Sequence, residues 1–162
     1  MSVAATSAND GVTNPNNALR IAEGSGLAAA DIRYHGSSGT YEGTETLRFA
    51  GYAAPAGYSV GRVDLRASYN SHSSCFGSFC SGAAPQYELV GLSGACGAPH
   101  DLPTGSSMQA QSADVTSCLT AGNRIASTFD VRWHARTSCL IGCPAANDQL
   151  DGIEVLVTLV PD

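Results

Sequence analysis

The sequence contains no lysine: its eight basic residues are all arginine, set against fourteen aspartates and glutamates for a formal net charge of −6. An acidic chain without a basic run repels phosphate backbones, which argues against nucleic-acid binding. Charge of either sign is scarce, at 14% of residues. No apolar run approaches the length that spans a bilayer, so no membrane span is expected. The opening MSVAATSANDGV has neither a charged start nor an apolar core and does not read as a signal peptide. The chain is then a mature region with an added start methionine, or a protein such as part of a virus particle that reaches its setting without cleavage. Helical periodicity of useful length is missing, and so is the His-Glu-x-x-His zinc motif.

Cysteine, by contrast, is present in an even number, as Cys75, Cys80, Cys96, Cys118, Cys139 and Cys143. All six sit in stretches rich in glycine, serine and proline, the pattern of disulfides pinning loops in an oxidising compartment. Pairing between nearest neighbours is the simplest arrangement, Cys75 with Cys80, Cys96 with Cys118 and Cys139 with Cys143. The middle bridge would restrict the unfolded chain by about 3 kcal/mol in the chain-entropy model. Two of these pairs lie near the spacing of a zinc site, but the third would then have no role, so disulfides are the better reading.

Period-two alternation dominates the rest. In Ser59 to Tyr69, Val63, Leu65, Ala67 and Tyr69 alternate with Arg62, Asp64, Arg66 and Ser68. From Thr128 to Arg136, Phe129, Val131, Trp133 and Ala135 alternate with Asp130, Arg132, His134 and Arg136. Each is the signature of a half-buried antiparallel strand. Leu47 and Phe49 mark another, and GIEVLVTLV, apolar on both faces, predicts a central strand at the C-terminus. Pro55 to Gly57 reads as a turn feeding the Ser59 strand. The expected fold is all-β: an antiparallel two-sheet β-sandwich, jelly-roll-like, with about eight strands and disulfide-pinned loops. Residues 1–17 are small and polar and are expected as a flexible arm or linker, leaving 18–162 as a single domain. Residues 70–86 and 93–113 are expected as long loops, and Asp114 to Thr120 as a strand.

The order Asn17-Ala18, TETLRFAGY, PAGYSVGRVDL and DGIEVLVTLV, with Val60-Gly61 echoed by Asp151-Gly152-Ile153, resembles jelly-roll modules of bacterial and archaeal cell-surface and secreted proteins that are similar in shape to carbohydrate-binding modules. That resemblance implies an extracellular sandwich with a role in adhesion or glycan contact. It carries over no defined site residue.

Stacking of a sugar ring calls for exposed aromatic side chains. Tyr52 and Tyr58 bracket the AAPAG loop, and Tyr41 and Phe76 lie in other loops; these four are the ligand-contact candidates, while Trp133 reads as core. Asn147, Asp148 and Asp151, in a stretch expected to lead into the last strand, are candidate calcium ligands, with a solvated turn as the favoured reading. No other cofactor is indicated. His35, His72, His100 and His134 fall in separate segments, so no catalytic constellation is expected. The sequence thus points to a non-catalytic, extracellular or surface-displayed module that contacts a glycan or protein. The alternative is a structural subunit of an extracellular filament or virus particle whose N-terminal arm contacts an identical neighbour, and a secreted hydrolase is weaker still. Intact mass with thiol counting is expected to find six thiols after denaturing reduction and none before it; free thiols in native protein would remove the disulfide framework.

Overall fold

A computed structural model of the chain describes residues 2–3, 5–12, 17–24, 27–36, 39–74, 80–82, 84–121, 124–125, 128–139 and 143–162. Its strands, in chain order, are β1 (Ser2–Val3), β2 (Ala5–Val12), β3 (Asn17–Gly24), β4 (Leu27–Gly36), β5 (Gly39–Ala50), β6 (Tyr58–Ser74) and β7 (Cys80–Gly82). After these come β8 (Gln86–Val90), β9 (His100–Asp101), β10 (Gly105–Asp114), β11 (Thr120–Ala121), β12 (Arg124–Ile125), β13 (Thr128–Cys139) and β14 (Cys143–Pro161). A 3-10 turn spans Gly94–Cys96 and a one-turn helix, α1, spans Thr116–Leu119. One sheet runs β10-β6-β14-β4-β3 with β1 beside β14, and the other runs β2-β5-β13-β8-β9 with β7 beside β13. All pairings are antiparallel. From β4 to β14 the longer strands alternate between the two sheets, as in a jelly roll.

Period-two alternation supplies the core. Val63, Leu65, Ala67 and Tyr69 of β6 face inward, as do Ile153, Val155 and Val157 of β14. Leu47 and Phe49, Tyr87 and Leu89, and Phe129, Val131 and Trp133 oppose them from β5, β8 and β13. Phe49 and Phe129 stand opposite each other in register, their rings stacked at 5.3 Å. Each large side chain so buried contributes about 1.5–3 kcal/mol. The C-terminal strand β14 lies between β6 and β4, in the centre of its sheet. At the Pro55 turn, Tyr58 N–H donates to the Pro55 carbonyl at 3.1 Å. Gly57 there adopts φ +82°, as the third residue of a type II turn requires.

Several segments depart from the sequence expectation. Residues 2–3 and 5–12, within the stretch expected as a loose arm, form β1 and β2, which pair with β14 and β5; backbone pairing orders a segment that has little apolar surface of its own. β6 continues to Ser74 and β7 occupies 80–82, inside the expected 70–86 loop. β10 fills the second half of the expected 93–113 loop because β6 offers it an edge to pair with. Within Asp114 to Thr120, expected as a strand, only the two end residues are in strands, and Thr116–Leu119 form α1. The Asp114 carboxylate accepts from Thr116 N–H at 3.0 Å, an Asx-type turn, and Thr116 Oγ1 takes the Val63 N–H at 2.8 Å in place of a strand partner.

The loop from β8 to β9 depends on one close approach. A Cβ at Gly97 would sit 2.1 Å from the Leu92 carbonyl oxygen, which is backbone and has no rotamer to yield. Gly97→Ala is expected to cost on the order of 2–3 kcal/mol, read as a lowered urea midpoint at unchanged slope.

Candidate functional site: a cleft at the open edge of the sandwich

β10 is the last strand on one side of its sheet, and β8 with β9 closes one side of the other. Where these edges face each other they leave a cleft of about 190 Å³. Its apolar lining comes from the inward side chains Leu65 and Ala67 of β6 and Tyr87 of β8, with Leu102 and Pro103 from the β9–β10 link. The polar lining is His100 and Asp101 of β9 with Gln111 and Ser112 of β10. Gln111 is opposite Ala67 in register, which turns it to the interior side of its strand.

The link that shapes the cleft is tied at both ends. Leu102 N–H donates to the Pro85 carbonyl at 2.7 Å, and the buried Tyr69 hydroxyl donates to the Pro103 carbonyl at 2.8 Å. His100 stacks on Tyr87 with ring centroids 4.9 Å apart and planes 16° apart, and its Nε2 lies 3.1 Å from the Ala95 carbonyl. Ala95 belongs to the 3-10 turn that the Cys96–Cys118 disulfide anchors to α1. A covalent bridge therefore holds the carbonyl that orients the histidine ring. On the opposite face of the β8–β9 pair from Tyr87 and His100, Gln86 Nε2 donates to Asp101 Oδ1 at 2.6 Å, and Asp101 is exposed. Burial pushes the Tyr87 phenol above its ordinary range, so it remains neutral at physiological pH.

The residues singled out from sequence lie elsewhere. Tyr52 is half-buried against the core and Tyr58 is 45% exposed; neither lines the cleft. Tyr41 contributes its backbone to β5, but its side chain, like Phe76 and Cys75, lies outside the described residues. The Cys96–Cys118 bridge is present with Cα atoms 5.5 Å apart. Of Cys80, Cys139 and Cys143 only the backbone is described, and Cys80 stands opposite Cys139 in register. Asn147, Asp148 and Asp151 lie within β14 and not in a loop. Asn147 and Asp148 pair through their backbones with neighbours on both sides, and the side chains of all three lie outside the described residues. No group of three or more metal-ligating side chains occurs among the described residues. His134 is on the outer face with its Nδ1 3.1 Å from Thr44 Oγ1.

Gly57-Tyr58-Ser59-Val60-Gly61 spells glycine-x-serine-x-glycine. It runs from a β-turn into β6, whereas a nucleophile elbow joins a strand to a helix, and Ser59 Oγ donates to the Asp162 carboxylate. The cleft itself was hidden from sequence because His100, Asp101 and Gln111 lie in a stretch without alternation. The only local sign was the Gly-Ala-Pro-His-Asp-Leu-Pro run (97–103), which reads as an irregular loop.

The outer faces carry ion pairs. Arg48 forms a two-pronged bridge to Asp130 at 2.7 and 2.8 Å, and Arg132 reaches Glu88 at 3.0 Å. On the other sheet Arg62 contacts Asp64 at 2.8 Å and lies 3.7 Å from Asp114, relieving two carboxylates that face each other in register. The hydrogen bonds from Arg48 hold Asp130 below the usual carboxylate range, and those from Thr116 do the same for Asp114.

No family model matches the sequence, and no curated protein matches it. Among solved structures, the chain is similar to the glycoside hydrolase domain of Endo-D from Streptococcus pneumoniae R6, at 10% identity and a TM-score of 0.46. That match covers 90% of this chain and 21% of the other, so this chain spans about a fifth of that protein's length. It is also similar to a family 11 carbohydrate-binding module from Clostridium thermocellum, solved in complex with a β-1,3-1,4-mixed-linked tetrasaccharide, at 11% identity and a TM-score of 0.42 over 92% of this chain and 88% of that one.

A folded-state carboxylate pKa below the unfolded value adds stability that is complete above the unfolded pKa and disappears as pH falls through the folded one. Urea unfolding from pH 7 down through the carboxylate range is therefore expected to show Asp130→Asn less stable than the parent at neutral pH, with the gap closing in acid. A gap independent of pH would refute an ionic origin.

Proposed function

We propose that this chain is a non-catalytic recognition module that binds a saccharide in the cleft between β10 and the β8–β9 edge, and that it works outside the cell or on its surface. The observation that carries this reading is the composition of the cleft: an apolar floor of Leu65, Ala67 and Tyr87 with the His100 imidazole and the Gln111 amide beside it. A sugar ring presents an apolar C–H face together with several hydroxyls, and such a lining serves both. The stacked His100 ring offers a flat surface, and the Gln111 amide offers an acceptor and a donor to adjacent hydroxyls. At about 190 Å³ the cleft is smaller than the pockets of drug-sized ligands, a size that suits one sugar unit.

The hydrolase reading is less well supported, because among the described residues the lining includes one acidic residue, Asp101, whose side chain pairs with Gln86 on the outer face, and glycoside cleavage ordinarily uses a pair. The assembly reading required a free N-terminal arm, whereas Ser2–Val3 and Ala5–Val12 pair within their own chain. The Cys96–Cys118 bridge supports an oxidising setting. A glycan array followed by calorimetry on the best hit is the test. Binding is expected, and His100→Ala, with its circular dichroism unchanged, is expected to weaken it about ten-fold, equivalent to about 1.4 kcal/mol. An array without hits, or full affinity in that variant, would overturn the proposal.

A further inference from the structure

We infer that the cleft selects sugars carrying a 2-acetamido group over the corresponding hexoses, with Gln111 as the residue that reads the acetamido amide; this rests on the saccharide reading above. Little of the cleft's apolar bottom is open. Leu65, Ala67, Tyr87 and Leu102 line it, yet they are only between 3% and 8% exposed. The small apolar opening that remains suits a methyl group better than the whole C–H face of a pyranose. Covering a methyl there is favourable, whereas a ring hydroxyl pressed against the same atoms loses its water and gains no partner.

Beside that opening stands an uncommitted amide. Gln111 is half-buried and opposite Ala67 in register, on the interior side of β10. The glutamines nearest to it in the fold are engaged: Gln109, the preceding inward position of β10, donates to the Ser107 carbonyl at 3.1 Å, and Gln86 donates to Asp101 on the outer face at 2.6 Å. Among the described residues the Gln111 side chain has no such hydrogen-bond partner, so its donor and its acceptor are both available to a ligand. A ligand group that matches this place joins a polar atom to a methyl across a single carbon. An acetamido group does so: its carbonyl accepts from Gln111 Nε2 while its methyl meets Leu65 and Ala67, and the neighbouring ring hydroxyl donates to Gln111 Oε1. A 2-hydroxyl in its stead reaches the amide but leaves the apolar opening unfilled. The sugar ring stays at the rim against His100, which is held by its stacking on Tyr87 and by the Ala95 carbonyl.

Methyl glycosides that differ only at carbon 2, glucoside against N-acetylglucosaminide and galactoside against N-acetylgalactosaminide, provide the test. Nε-acetyl-lysine, which presents the same acetamido group without a sugar ring, is the third arm. Affinities are read by NMR titration of the cleft amides at pH 7. The wild type is expected to bind the better acetamido sugar about ten-fold more tightly than its hexose counterpart and more tightly than Nε-acetyl-lysine. Gln111→Leu, which keeps a side chain of similar size without donor or acceptor, should bring the two members of the pair to within about two-fold of each other, with circular dichroism unchanged. A wild type that binds both members of each pair equally, or a preference unchanged in Gln111→Leu, overturns this inference alone. Binding of Nε-acetyl-lysine as tight as that of the sugars overturns it as well, since the acetamido group would then be read without its ring. No binding of any glycoside, together with a blank glycan array, overturns the saccharide reading and this inference with it.

Discussion

The structure depends on the exclusion of water between the inner faces of β6 and β14 on one side and of β5, β13 and β8 on the other. Val63, Leu65 and Tyr69 have almost no solvent exposure, and neither do Ile153, Val155, Val131 and Trp133. Because side chains alternate at each residue, a slip of one position along β6 or β14 would exchange this set for Arg62, Asp64, Arg66 and Glu154. Burial thus holds the register over the long pairing between these two strands, in which Tyr58 is opposite Pro161 and Ser74 opposite Ala145. Every other placement follows from that register, including the edge on which β10 grows.

Closing two sheets face to face leaves edges at both sides, and those edges are where the chain has room for function. On one side the edge residues of β10 and β9 are tied to the core by a few directional bonds, notably Tyr69 to Pro103 and Leu102 to Pro85. These bonds connect groups that the hydrophobic effect has already buried to a loop that it cannot organise. The disulfide extends the same principle: it joins the turn beside His100 to α1, which in turn covers the end of β6 through Val115 and Thr116. The cleft is therefore open to solvent but mounted on rigid parts.

Charge is distributed with the same economy. The described arginines of β5, β6 and β13 lie on outer faces with carboxylates across the strand, as Arg48 with Asp130 and Arg132 with Glu88. Exposed pairs of this kind add little stability individually. Their larger consequence is compositional, since the arginines engaged there are not among the described residues that line the cleft. Asp64 is the exception among outward positions. It is only 7% exposed and relies on Arg62 to offset its charge.

Sequence by itself determined the class of fold, the inward set of β6, β13 and β14, the central place of the C-terminal strand and the turn at Pro55 to Gly57, and it offered the Cys96–Cys118 bridge as part of the simplest of several possible pairings. Each of these is encoded locally, through periodicity, turn chemistry or the spacing of two cysteines. Tertiary structure alone decided that Gly105–Asp114 is a strand, since its serines, glutamines and alanines carry no strong preference and pair only because β6 presents a free edge. It also decided the burial of Asp64 and the position of the cleft. Tyr52 and Tyr58 stood out in the sequence as loop aromatics, yet the cleft belongs to Tyr87, which reads locally as core, and to His100, Asp101 and Gln111, which read as loop. The reason is physical: which two sheet edges confront each other depends on strand order across the whole chain, and no short window of sequence carries that information.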